Sequence, residues 1–178
     1  MRLRLYLAAL LLLAFVLLVA APRATAAAPV DPAPAPVPED AGWTWPVDGP
    51  HRVTESFRAP AHAYGAGHRG IDIEAPIGSD VRAPADGVVM FRGTVVDRDV
   101  LSIQHSGGLV SSYEPLVSDL AVGTVVAAGD RIGVVAHGGH TAPGALHLGV
   151  RLDDAYIDPL LLFGPVPRAV LLPCCASG

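Results

Sequence analysis

Between Trp43 and Phe163 the chain never sustains an apolar period of 3.6 residues. Short apolar runs rich in β-branched residues alternate instead with glycine and proline punctuation. The runs Val81–Phe91, Val100–His105, Leu109–Tyr113, Thr124–Val126 and Ile132–Val135 all read as strands. Turn signals at Asp86-Gly87, Ser106-Gly107-Gly108, Ala128-Gly129-Asp130 and Gly138-Gly139 separate them at short spacing. The pattern predicts an all-β domain of antiparallel strands, sandwich-like or barrel-like. Residues 43–163 suffice for one such domain with its own core.

The flanks differ in kind. The chain is 51% hydrophobic with a mean hydropathy of +0.44, an excess with a local cause. Residues 1–26 read as an export signal: Arg2 and Arg4 form the charged start, Leu5 to Ala21 the apolar run, and Ala24-Thr25-Ala26 the small-residue cleavage pattern. The alternative is an uncleaved membrane anchor, for which the run is short. Export implies a secreted or wall-associated protein that meets a membrane only through this segment. Residues 27–42 are rich in alanine and proline, including Pro32-Ala33-Pro34-Ala35-Pro36, and read as a semi-rigid extended spacer. Residues 164–178, with Pro165, Pro167 and Pro173, read as an extended tail. Its adjacent Cys174 and Cys175 are the only cysteines and cannot staple distant parts of a core; an intermolecular or vicinal disulfide is their remaining use in an oxidising compartment.

Charge narrows the partners. The net charge is −5, and loss of residues 1–26 would remove Arg2, Arg4 and Arg23 but no acid, leaving a more acidic protein. Such a balance argues against nucleic acid, whose phosphates need clustered cations. Nothing in the sequence assigns an oligomeric state. The repeated pairing of a glycine turn with a valine-rich strand, at Val81–Val89 and Val122–Gly133, also suits a biotinyl or lipoyl carrier. Those domains load their cofactor on lysine, and all twelve basic residues here are arginine, so that reading falls.

One stretch carries chemistry. Gly67-His68-Arg69-Gly70-Ile71-Asp72 sets a histidine and a carboxylate four residues apart, and a second histidine, His147, follows in Leu146-His147-Leu148. Two imidazoles and one carboxylate around an open position form the ligand set of a catalytic zinc site. On a strand through residues 145–148, Ala145 and His147 share one face while Leu146 and Leu148 point to the core. His68 and Asp72 would lie ~13 Å apart on a fully extended chain, so the chain must bend between them, and Gly70 is the residue expected to permit it.

Gly67–Asp72, followed by Ala75-Pro76-Ile77-Gly78-Ser79-Asp80-Val81-Arg82-Ala83-Pro84-Ala85-Asp86-Gly87, resembles the lysostaphin-type (beta-lytic) zinc metallopeptidase domain. The likeness continues through His105, Tyr113, Ala128–Gly133 and Leu146-His147 to Asp158-Pro159, covering roughly residues 43–163. The resemblance implies a β-sheet groove of the duplicated hybrid motif type and one zinc ion on His68, Asp72 and His147. It also implies hydrolysis of peptide cross-links in bacterial peptidoglycan. Two departures stand out: family members usually carry histidines where this chain has Pro115 and Ala145, and those histidines are the ones assigned to proton transfer and to stabilising the intermediate.

Two residues are candidates to replace them. Glu114 has the chemistry of a general base, but strand alternation is expected to turn it away from the site unless Pro115 twists the strand. His140, on the Gly138–Gly144 loop, is the better candidate because a loop can bring an imidazole inward. His137 is a poorer one; His51, His62 and His105 read as surface or turn residues. Three readings remain open: a zinc endopeptidase of the cell wall, a catalytically degenerate wall-binding or regulatory protein of the same fold, and an exported β-domain without metal.

Overall fold

A computed structural model of the protein describes residues 42–62 and 64–164. The segment expected to be an export signal, nearly all of the expected spacer, and the tail with Cys174 and Cys175 lie outside the described residues.

The strands are β1 (Val53–Glu55), β2 (Gly70–Glu74), β3 (Asp80–Arg82), β4 (Gly87–Val95), β5 (Arg98–His105), β6 (Leu109–Glu114), β7 (Leu116–Val117), β8 (Val125–Val126), β9 (Arg131–Val135), β10 (Ala145–Leu152) and β11 (Ala155–Ile157). Among the described residues helix is confined to two short 3₁₀ turns, Ser106–Gly108 and Pro159–Leu162. Among the described residues every strand pairing is antiparallel, so the expected all-β antiparallel class holds. The larger sheet runs β1-β2-β10-β6-β5-β4-β8 with β11 added to β10; the smaller runs β3-β9-β7. Both orders are open, which favours the sandwich-like over the barrel-like form of the expectation.

The run expected as one strand from Val81 to Phe91 is two. Pro84 has no N–H to donate to a ladder, and the Asp86-Gly87 turn follows it, so β3 pairs in the small sheet and β4 in the large one. The two sheets share one core: Ile71, Ile73, Leu101, Ile103, Tyr113, Leu146 and Leu148 come from the large sheet, and Val81, Leu116, Ile132 and Val135 from the small. Each fully buried aliphatic side chain of this set contributes roughly 1.5–3 kcal/mol.

Alternation along the central strands then builds the site. In β6, Leu109, Ser111 and Tyr113 are buried while Val110, Ser112 and Glu114 are half-buried. In β10, Leu146 and Leu148 enter the core, as the sequence predicts, which turns His147 and Gly149 to the opposite face. That face is the floor of the groove.

Candidate metal centre and its groove

Register brings the first residues together. His147 on β10 pairs with Asp72 on β2 at one side and with Glu114 on β6 at the other. Residues directly opposite across an antiparallel pair project to the same face, so the three side chains stand in a row across the groove floor. The expectation for Glu114 is therefore corrected. Ser112 and Glu114 face the groove, Tyr113 faces the core, and β6 ends at Glu114, before Pro115 enters the count.

His68 precedes β2 and is held by a bridge to Arg58, with backbone hydrogen bonds of 2.9 Å in both directions. The bend that returns its ring to Asp72 lies at Arg69, not at Gly70, which is already the first residue of β2. Glycine is required at position 70 for a different reason. A β-carbon there would collide with the Leu148 carbonyl and come within 2.7 Å of His147 Nε2. The bare backbone of Gly70 is what leaves room for the His147 ring beside β2.

The three atoms converge. His68 Nε2 lies 3.1 Å from Asp72 Oδ1 and 3.1 Å from His147 Nδ1, and His147 Nδ1 lies 2.8 Å from Asp72 Oδ1. His68 Nδ1 is 3.0 Å from the Ser56 carbonyl, which can only accept, so the ring's proton is there and its lone pair is on Nε2. Buried lone pairs from His68 and Asp72 thus face one another across His147, an arrangement that calls for a cation between them. Atoms ~2 Å from a tetrahedral zinc ion are separated by roughly 3.3 Å, close to the observed spacing. The residues present fit the ion. All three are buried, at 5%, 4% and 7% exposure. Burial pushes the Asp72 carboxyl upward, but the hydrogen bond with His147 and the fields of His147, His68 and His140 outweigh it and hold the group below its usual range.

The fourth side of the site is open and differently made. His140 is exposed on its loop, its ring centroid 4.8 Å from that of His147 and 5.8 Å from that of His68. A ring nitrogen of His140 belongs to the same cluster as the three buried groups, with all four ligand atoms within 4.8 Å of one another. His140 Nδ1 is also 3.4 Å from Glu114 Oε1. Glu114 is gripped in turn by Arg98, whose Nε and Nη2 donate to its two oxygens at 3.1 and 3.3 Å. Arg98 carries no motif in the sequence, and only the double glycine before His140 hints that the loop there approaches something closely. These groups line a groove of about 470 Å³ walled on the far side by Arg69 and Tyr156.

The other histidines are elsewhere. His51 and His62 are exposed, as the sequence suggests, and His137 is exposed away from the groove. His105 is a correction: it is 6% exposed, with Nδ1 donating to the Asp86 carbonyl at 2.8 Å and Nε2 2.7 Å from Ser111 Oγ. The strand end it occupies is turned inward against Trp43, not outward into the turn. Ala145 is buried at the start of β10, and Pro115 is buried beyond the end of β6; neither offers a titratable group.

Comparison with known proteins agrees with this architecture. The model of peptidase family M23 matches residues 66–159. The uncharacterized protein Rv2891 of Mycobacterium tuberculosis is 37% identical over 135 residues, which cover 72% of this chain and 54% of that protein. The DD-carboxypeptidase/endopeptidase Mpg of Neisseria meningitidis is 33% identical over 57% of this chain and 24% of its own length. The murein hydrolase activator NlpD of Salmonella typhimurium is 31% identical over 66% and 30%. This chain therefore spans about half, or less, of the length of the curated relatives it matches. Among solved structures, a putative M23 peptidase from Pseudomonas aeruginosa superposes with a TM-score of 0.58 at 26% identity, over 75% of this chain and 55% of that one.

Proposed function

The chain belongs to peptidase family M23, and from that premise we propose that it is an exported zinc metallopeptidase cutting peptide cross-links of bacterial peptidoglycan. One observation carries the reading: His68 Nε2, Asp72 Oδ1 and His147 Nδ1 converge within 3.1 Å in a buried pocket at the floor of an open groove. Those three residues would hold the ion. When bound there, zinc supplies Lewis acidity, which activates water and polarises the scissile carbonyl.

The chain's own residues do the rest. Ser56 fixes the His68 tautomer through Nδ1, so that the ring's lone pair is directed at the pocket without reorganisation. The open groove between Arg69 and Tyr156 on one wall and Arg98 on the other admits an extended peptide. His140, at the mouth, would accept the proton of the attacking water and return it to the leaving amine, the work its family assigns to residues replaced here by Pro115 and Ala145. Glu114 is 14% exposed and already paired with Arg98, which makes it a poor general base and a good partner for His140. Export rests on the Leu5–Ala21 run and its Ala24-Thr25-Ala26 end.

A second reading keeps the fold and drops the turnover. Its support is the replacement of both histidines by Pro115 and Ala145, together with a relative whose name makes it an activator of murein hydrolases. On that reading the groove binds wall peptide without cutting it. The purified chain, loaded with zinc and incubated with cross-linked peptidoglycan, separates the two. The peptidase reading expects new amino termini that vanish in His68→Ala; sedimentation with the wall but no new termini contradicts it.

A further inference from the structure

The sequence gives no reason to notice Arg98, yet it is where the exposed wall of the groove is tied together. We infer that Arg98 is a positioning residue for His140: it carries the loop that bears the imidazole and, through Glu114, sets which ring nitrogen holds the proton. The inference rests on the reading of His140 as the proton carrier.

Two independent contacts support it. The first is steric. Gly138 and Gly139, immediately before His140, have φ of 121° and 72°, values open to glycine and unfavourable for other residues. A β-carbon on Gly138 would strike the Asp97 carbonyl and reach 3.1 Å from Arg98 Cβ; one on Gly139 would come within 3.1 Å of Arg98 Cδ. The loop therefore lies with its backbone directly on the aliphatic stem of Arg98, as close as two glycines permit. The second contact is polar. The Arg98 guanidinium engages both oxygens of Glu114 as a fork, and its third nitrogen, Nη1, donates to the Val95 carbonyl at 3.1 Å. Such a planar, two-point grip fixes the carboxylate's orientation as a lysine could not. The Glu114 oxygen so fixed, Oε1, is the one 3.4 Å from His140 Nδ1.

The consequence is a relay of position. A carboxylate facing Nδ1 favours the proton on that nitrogen and leaves the lone pair on Nε2, as second partners do for histidines at metal sites. Arg98 and Glu114 line the groove beside His140, and the role inferred for them is exerted through that imidazole. The chain thus rebuilds, from an arginine on β5 and a glutamate on β6, the orientation that Pro115 and Ala145 cannot give.

The test uses the full chain with zinc bound. Long-range ¹H–¹⁵N spectra of the histidine rings, with His140 assigned by its loss in His140→Ala, should show a proton on Nδ1 and a bare Nε2. In Arg98→Met, which keeps the stem under the loop but removes the fork, the two nitrogens should move toward averaged shifts. Glu114→Gln, in which Arg98 is intact beneath Gly138 and Gly139, should do the same. The zinc equivalent should stay at one, and kcat should fall about 10- to 100-fold with KM near wild type. Because Arg98 acts through His140, adding Arg98→Met to His140→Ala should lower kcat no further. Unchanged His140 nitrogens in both variants, or an undiminished loss of kcat in the His140→Ala background, overturns the inference. A wild-type chain without peptidase activity would sink the proposed function instead, while the ring spectra still decide the role of Arg98.

Discussion

The two halves of the groove are built on different principles. On the floor, β2 and β10 present Asp72 and His147 opposite one another by ladder register, His68 is pinned by Arg58 and Ser56, and all three are buried. On the open wall, His140 rides on an exposed loop and takes its place from Arg98 and Glu114. A ligand set fixed by sheet register can be moved only by disturbing the sheet. A proton carrier fixed by a loop can be exchanged for another, and on the proposed reading His140 would supply what Pro115 and Ala145 cannot.

Substitution can break that contrast from either side. The largest effect is expected on the floor: His147→Ala, or Asp72→Ala, should lose the zinc equivalent and with it all hydrolysis, read by elemental analysis and by amino-terminus release. Retention of a full equivalent in both would mean that the ion sits elsewhere. On the wall, His140→Ala should keep its zinc yet slow hydrolysis by ~10²–10⁴, the usual contribution of a positioned acid or base. Equal loss of metal and rate would place His140 among the ligands and erase the distinction.

A subtler variant acts on the floor without touching a ligand. Gly70→Ala forces a methyl against the Leu148 carbonyl and the His147 ring, so thermal unfolding should show a loss of about 1–3 kcal/mol. Weaker zinc binding should accompany it. A variant as stable as wild type would show that the β2–β10 contact can relax, contrary to the account.

The smallest effect lies away from the groove, at His105. Burial lowers its pKa below the ordinary 6.5, partly offset by the backbone groups of Asp86 and Ala85 and the Asp86 charge. The folded state therefore prefers the neutral ring, which donates from Nδ1 to Asp86 and accepts on Nε2 from Ser111. The sign follows: the unfolded chain binds this proton more readily, so the stability is intact above about pH 6.5 and is lost as pH falls toward the lower folded value. Melting temperature measured from pH 7.5 to 5 should drop more steeply in wild type than in His105→Gln. Parallel curves would contradict the assignment.

Much of this was legible in the residues, and unevenly so. The strand periodicity, the turn glycines and the spacing of His68, Asp72 and His147 announce the fold and the floor of the site, because each is local or lies on an alternating strand. Leu146 and Leu148 point inward as alternation requires, and that places His147. Alternation with Leu109, Ser111 and Tyr113 is enough to turn Glu114 to the groove once β6 is known to end there. Its place opposite His147 depends on the register with β10, a long-range fact that no short window contains. Arg98 was invisible for the same reason: its importance comes from Glu114 and from a loop some forty residues away in sequence. In the sequence Gly70 reads as a point of bending, whereas the structure uses its lack of a side chain.

The most direct measurement of the central claim is the zinc K-edge X-ray absorption spectrum of the loaded chain, which counts imidazoles around the ion. Two imidazoles from His68 and His147, with oxygen from Asp72 and from solvent completing the shell, is the result expected if floor and wall have separate duties. Three imidazoles would put His140 on the metal, close the open position, and contradict the account.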